Sequence, residues 1–181
     1  YDSDSGRIVT GYLNGSIPCE GEVGAYAASS FYAVDRYISF STDWKADYDS
    51  GSVIVSGRYT TSNAIYQMTK LSDSQRDGYL KWLWEYEYTK LGLPKPDMVL
   101  FLDMPIEVSQ KLLSSRYNGD EGKKDIHERN VAFMRQCRES AMYTSEKNGW
   151  KIIECSDGNA PLSIDEIHNR IMEQIKEIVD V

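Results

Sequence analysis

Apolar positions set the order of elements along the chain. Val23, Ala27, Phe31, Val34 and Ile38 recur at three- and four-residue steps, with Ser41 to Trp44 continuing the pattern. This spacing predicts an amphipathic helix of about six turns, ending near Tyr48-Asp49-Ser50-Gly51. Ser52-Val-Ile-Val-Ser56 is a short β-branched run between glycines, the pattern of a strand buried on both faces. A loop and helix start follow at Gly57-Arg58-Tyr59-Thr60-Thr61-Ser62-Asn63. Asp73 is placed to cap a helix in which Leu80, Leu83, Trp84 and the run Tyr86 to Leu91 face inward, closing at Gly92-Leu93-Pro94. Met98-Val-Leu-Phe-Leu102 is continuously apolar and predicts a second buried strand, and Pro105 suits the first turn of a helix to about Arg116.

From Arg116 to Glu128 glycines and charges dominate, which predicts a mobile loop. A helix over about 126–148 and a third strand, Trp150-Lys-Ile-Ile-Glu-Cys155, come next. The turn Ser156-Asp157-Gly158-Asn159 closes that strand. Ser163-Ile-Asp-Glu166 has the form of a capping box, with Leu162 and Ile167 as its staple. Ile167, Ile171, Ile175 and Ile178 give the last helix a docking face. Strands alternating with helices imply an α/β fold: a parallel sheet flanked by helices on both faces. No repeat or linker interrupts the chain, so 1–181 is expected to form one domain. The opening Asp2-Ser3-Asp4-Ser5-Gly6 has the character of a loop interior.

With 181 residues and 41% hydrophobic positions, the chain can bury one sizeable core. Its net charge of −8 argues against a nucleic-acid partner, whose backbone calls for a basic stripe. No apolar run approaches the roughly 20 residues of a membrane span, and no charged-then-apolar leader is present, so a cytoplasmic protein without a membrane partner is expected. Cys19, Cys137 and Cys155 have neither zinc-like spacing nor the even number of a disulfide framework. With only His127 and His168 beside them, a structural metal site is not expected.

In parallel sheets ligands gather beyond the carboxyl ends of strands, which directs attention to the loops after Ser56, Leu102 and Cys155. Arg58 leaves the first of these, followed by Thr60, Thr61, Ser62 and Asn63. A guanidinium beside helix-start amides suits phosphate oxygens, and a solvated surface arginine is the alternative. Tyr32 and Arg36 are four apart on one helix face. They either stack a base and bond its carbonyl edge, or form a surface cation–π pair. Arg116, Lys123 and Lys124 put three cations in a loop that either closes over phosphates or is simply solvated. Asp103 can bond a backbone group or a metal-bound water, or cap the helix at Pro105.

Three segments together resemble the thymidylate kinases of bacteria: Tyr-Ala-Ala-Ser-Ser-Phe-Tyr-Ala-Val-Asp-Arg (26–36), Gly-Arg-Tyr-Thr-Thr-Ser-Asn-Ala-Ile-Tyr-Gln (57–67) and Pro-Asp-Met-Val-Leu-Phe-Leu-Asp-Met-Pro (96–105). The lid-like loop of about 116–128 extends the resemblance. It implies the P-loop nucleoside-monophosphate kinase fold, a homodimer, and transfer of the γ-phosphoryl group of ATP to dTMP with Mg2+, giving dTDP on the way to dTTP. By position, Tyr32 is similar to the aromatic residue stacked on thymine, Arg36 to the arginine at O4 and Arg58 to the arginine holding the monophosphate. Asn63 resembles the base-reading residue, Tyr66 the one that crowds the sugar, and Gln67 a lining residue of that pocket. The resemblance places Arg116, Ser156 and Asp157 on the ATP side, with Arg116, Lys123 and Lys124 as lid cations beside the transferring group.

There are two departures. Gly57 stands where the family has an aspartate, which removes the usual hard ligand for Mg2+ and its waters. No Gly-x-x-x-x-Gly-Lys-[Ser/Thr] phosphate loop occurs in the chain. The resemblance implies that this loop and the central strand precede Tyr1 by roughly forty residues. Three strands are therefore expected here, two of them, 52–56 and 98–102, flanking a central fourth that lies outside the chain. A kinase of another deoxynucleoside monophosphate, or a nucleotide-binding pseudoenzyme, are the alternatives to dTMP kinase.

Overall fold

The computed structural model describes residues 3–18, 21–116 and 130–179 and divides into two compact units, Tyr1–Lys95 and Pro96–Val181. The first unit is helical. Helix α1 (Asp4–Leu13) corrects the loop expected at the start. Ser3 caps it by accepting a bond from the Gly6 amide at 3.0 Å, and Val9 is buried. Small residues at Ser5, Gly6 and Gly11 let it lie close to α2 (Ala25–Ser39), and Ser5 donates to Asp35 across the two helices at 2.7 Å.

The long helix has the expected extent. α2 runs through a π-helical turn (Phe40–Trp44) into α3 (Lys45–Asp49) and ends at Gly51, whose φ of 84° is one that glycine adopts without steric cost. Its buried face differs from the expected one. Ala25, Ala28, Ser29, Ala33 and Phe40 are buried, while Ala27, Val34 and Ile38 are exposed. The small face turns inward because a tyrosine from a later helix fills the space: Ser29 Oγ and the Tyr79 hydroxyl are 2.6 Å apart.

The run Val53-Ile54-Val55 forms no strand, contrary to expectation, and Val55 is 88% exposed. An extended run becomes a strand only where a ladder partner takes its N–H and C=O groups, and no such partner occurs among the described residues. After it come α4 (Thr61–Tyr66) and α5 (Arg76–Trp84), the latter continued by a π-helical segment (Glu85–Lys90). The cap ahead of α5 is Ser72, not Asp73: Ser72 and Gln75 exchange the bonds of a capping box. Tyr79, Leu80, Leu83 and Glu87 form the buried stripe, and Gly92 closes the helix with a φ of 68°.

The second unit holds the sheet. β1 (Leu100–Asp103) pairs in parallel with β2 (Lys151–Glu154), Leu100 opposite Lys151 and Asp103 opposite Glu154. Two strands thus stand among the described residues where three were expected. α6 (Ile106–Arg116) and α7 (Val131–Asn148) connect them, and α7 packs on β1. Asn130 caps α7, and Gly149 ends it in the left-handed region. α8 (Ile164–Ile175) packs on β2 and starts with the expected box, the Ser163 side chain accepting from the Glu166 amide while Glu166 accepts from Ser163. Ile178, expected on its docking face, lies beyond the helix and is exposed.

The lid-like segment with Lys123 and Lys124 lies outside the described residues, apart from Arg116, as does Cys19. Cys137 and Cys155 are buried, and neither is in a disulfide. No helix among the described residues is long and apolar enough to cross a membrane.

Candidate functional site

In the first unit two of the predicted residues, Arg36 and Asn63, meet at one buried carboxylate. Glu87 projects from the π-helical segment after α5 and is fully buried. Its Oε1 accepts a bond from Asn63 Nδ2 at 2.9 Å, and its Oε2 lies 3.1 Å from NH1 of Arg36. Arg36 also donates from NH1 to the Tyr32 carbonyl and from NH2 to the Tyr59 carbonyl, each at 3.1 Å. Its guanidinium carbon is 5.5 Å from the centre of the Tyr59 ring. Arg36 is therefore held between α2, the Tyr59 loop and Glu87, and the ring it meets is that of Tyr59 rather than Tyr32. Tyr32 stands edge-on to Tyr12, with ring centres 6.1 Å apart.

Burial drives the Glu87 carboxyl above its ordinary range, against the pull of Arg36 and the Asn63 amide toward the ionised form. The same burial pushes Tyr88 up to about 12, offset by its short bond with Thr60, and raises Tyr59 and Tyr79 as well. Asn63 is itself buried. Its Nδ2 makes a second bond, to the Ser29 carbonyl at 3.2 Å, and its own carbonyl accepts from Tyr79 at 3.1 Å. Gln67, one turn on, is buried, with Oε1 lacking a hydrogen-bond partner among the described residues.

Arg58 is exposed and has a φ of 145°, the one non-glycine residue with a positive φ among those described. A backbone held there costs about 1–3 kcal/mol and persists only where its surroundings enforce it. Ser56 Oγ donates to the Arg58 carbonyl at 2.6 Å, Arg58 Nε donates to Ser62 Oγ at 3.2 Å, and its guanidinium lies 4.7 Å over the Tyr66 ring. The loop thus aims the arginine along α4. At Gly57 an added Cβ would meet nothing within 4 Å.

The second unit has a cleft of about 450 Å³ at the carboxyl ends of its two strands, where Asp103, Arg138, Glu154, Ser156, Asp157 and Arg170 line it. Arg138 donates to both oxygens of Asp103, at 2.6 and 2.7 Å, so Asp103 serves neither as a cap nor as a free carboxylate. Ser156 and Asp157 are engaged in their own turn. Ser156 Oγ donates to the Ala160 carbonyl, and Asp157 Oδ1 accepts from the amides of Ala160 and Asn159, both at 2.8 Å, which holds that carboxyl below its usual range. Arg170 donates to the Glu154 carbonyl at 2.9 Å. Arg116 ends α6, exposed. No three His, Cys, Asp or Glu side chains cluster as a metal site among the described residues.

Glu87, Tyr59, Arg138 and Arg170 were not singled out from the sequence. Glu87 carries a signal: it follows Tyr79 and Leu83 at steps of four, a carboxylate at a position that the helix period assigns to the core.

Comparison with known proteins bears on both units. The thymidylate kinase of Mycobacterium tuberculosis is 30% identical over 129 residues, covering 69% of this chain and 58% of that protein. A thymidylate kinase of Sulfurihydrogenibium is 29% identical over 147 residues, 81% of this chain and 65% of its own length. The probable thymidylate kinase of Thermococcus kodakarensis is 29% identical over 171 residues, covering 93% and 71%. The chain thus spans 58% and 65% of the lengths of the first two relatives. The profile of the thymidylate kinase family matches residues 2–171, and the chain belongs to that family.

Proposed function

We propose that the protein transfers the γ-phosphoryl group of ATP to dTMP, giving dTDP and ADP. The observation that carries this reading is Arg58, an exposed cation kept in a strained backbone conformation and aimed along the face of α4 that bears Ser62 and Tyr66. Strain maintained under a charged side chain is typical of a ligand clamp. Arg58 holds the monophosphate, Tyr32 stacks on the base, Arg36 and Asn63 read its edge, Tyr66 limits the sugar and Gln67 completes the lining. Arg116, Lys123 and Lys124 neutralise the phosphoryl group in flight, since such transfer depends on positioning and charge stabilisation. On the ATP side stand Arg116 and the turn at Ser156 and Asp157.

Mg2+ accompanies this reaction in the family. This chain's described donor set does not fit it: Gly57 has no carboxylate, and both oxygens of Asp103 belong to Arg138. No step here runs through a metal ion held by these residues. Gly57 also favours a second reading, a protein that binds the two nucleotides without transfer. A family match that runs across both compact units supports treating 1–181 as one thymidylate-kinase domain. Homodimerisation and a cytoplasmic place complete the proposal. The exposed stripe of Val34, Tyr37 and Ile38 on α2 is the kind of surface that a second copy covers.

The deciding experiment incubates the purified protein with dTMP, ATP and Mg2+ and separates the products. Formation of dTDP is expected. Binding of both nucleotides without dTDP overturns the kinase reading, and gain of turnover in Gly57→Asp would then identify the binding protein of the second reading.

A further inference from the structure

Arg36 and Asn63 share one anchor, and it decides what each can still offer a ligand. A carboxylate and a carbonyl only accept hydrogen bonds, so Glu87 and Ser29 fix the orientation of the Asn63 amide, with its nitrogen on both of them. Oδ1, which accepts no hydrogen bond from the described residues, is what the side chain has left. One hydrogen of Arg36 NH1 is committed to the Tyr32 carbonyl and one of NH2 to the Tyr59 carbonyl, while NH1 pairs with Glu87 Oε2 by charge at 3.1 Å, without the geometry of a hydrogen bond. The Nε–H of Arg36 and the second hydrogen of NH2 remain. The pair therefore presents an acceptor from Asn63 and donors from Arg36.

A pyrimidine with a carbonyl at C4 shows the complement, an N3–H donor next to an O4 acceptor. Cytosine shows the reverse: its N3 accepts and its 4-amino group donates. It would set acceptor against acceptor and donor against donor in a buried place, where unpaired polar groups are costly.

On the reading of this site as the dTMP pocket, we infer that Glu87 is a positioning residue that sets the preference for 4-keto over 4-amino pyrimidine monophosphates, by holding the Asn63 amide and the Arg36 fork in this orientation. It touches no substrate. Its carboxylate form is the one that matters, because beside a group able to donate only the longer bond to the Ser29 carbonyl, at 3.2 Å, still opposes the turn that would show Nδ2 to the base.

Glu87→Gln supplies such a donor at nearly constant size. The test measures dissociation constants of dTMP, dUMP and dCMP by calorimetry. Wild type is expected to favour dTMP over dCMP, and Glu87→Gln to lose that preference by about tenfold or more, since it amounts to one buried unpaired group. The dTMP to dUMP ratio is expected to stay within about twofold, because both bases share the 4-keto edge and a general loss of packing would move all three ligands together. An unchanged dTMP to dCMP ratio in a folded Glu87→Gln protein overturns the inference. Glu87→Asp keeps an acceptor-only group and is expected to retain the wild-type ratio at weaker affinity. Loss of the ratio in a folded Glu87→Asp protein also overturns it, whether or not the glutamine variant folds. If wild type binds none of the three nucleotides, the dTMP reading itself falls, and the inference with it.

Discussion

Among the described residues each unit of the molecule pairs one arginine with a buried carboxylate, and the two pairs are built in opposite ways. Arg138 meets Asp103 through two aligned bonds at a cleft rim, where the arginine side chain is 39% exposed. Arg36 approaches Glu87 at a single 3.1 Å contact, yet the arginine is 13% exposed and the carboxylate fully buried. Bidentate geometry makes the first the better bond. Burial makes the second the harder to break, because removing one partner strands a charge away from water. Alignment and importance are thus separate properties. The well-aligned pair consumes both oxygens of its carboxylate, whereas the loose pair sits in a hub whose arginine and amide keep capacity in reserve.

The largest effect should come from Arg36→Ala. It leaves Glu87 buried without its cation and removes the donors that hold the Tyr32 and Tyr59 carbonyls, so a loss of about 3 kcal/mol or more is expected in denaturant unfolding. A loss below about 1 kcal/mol would break the contrast, because Arg36 would then behave like a surface residue.

Next in size is a pH effect confined to the buried pair. Burial raises the Glu87 carboxyl above its ordinary 4.5, so the folded chain holds that proton more tightly than the unfolded one. The resulting stability is complete below about pH 4.5 and is lost as pH rises through the folded value. Glu87→Gln has no such proton. Unfolding free energies of wild type and variant, measured from pH 4 to 7, should show wild type losing ground to the variant as pH rises. A gap that moves the other way would mean that Arg36 outweighs desolvation. Tyr88, pushed up to about 12 chiefly by burial, acts in the same sense at the alkaline end.

The contrast between the pairs also marks what could be read from the sequence. Local period and turn chemistry identified α2 with its continuation to Asp49, both strands of the sheet, and the box at Ser163 and Glu166, because those signals lie within a few residues. Val53-Ile54-Val55 and Val99-Leu100-Phe101-Leu102 look alike as short apolar runs, but only the second meets a ladder partner among the described residues. That partner begins about fifty residues later, at Lys151, and the run itself carries no trace of it. The inward face of α2 was misread for a similar reason, since Tyr79, which fills the space over Ser29, belongs to another helix. Arg36, Arg58 and Asn63 were legible as motif residues. Which carboxylate each arginine would meet is a tertiary fact, so Glu87 and Arg138 were not. Ser156 and Asp157 were named by resemblance, and their side chains are engaged within their own turn.

A smaller effect is expected from Arg138→Ala. Asp103 is itself buried, but the Arg138 side chain is 39% exposed at the cleft, so water takes over part of what the arginine supplied despite its two short bonds. About 1 kcal/mol or less is expected in the same unfolding assay. A cost matching that of Arg36→Ala would show that bond geometry outranks burial in this protein.

Salt should separate the pairs by the smallest margin. In 1 M NaCl the screening length falls to about 3 Å, comparable to the separation of an exposed pair, while charges from which ions and water are excluded are screened far less. The cost of Arg138→Ala should therefore shrink between 0.1 and 1 M salt, and that of Arg36→Ala should hold nearly constant. Comparing each variant with wild type at the same salt concentration cancels the general effect of salt on apolar burial. If both costs fell together, solvent would have to reach the Glu87 carboxylate as readily as it reaches Arg138, and the buried hub would have to open in solution.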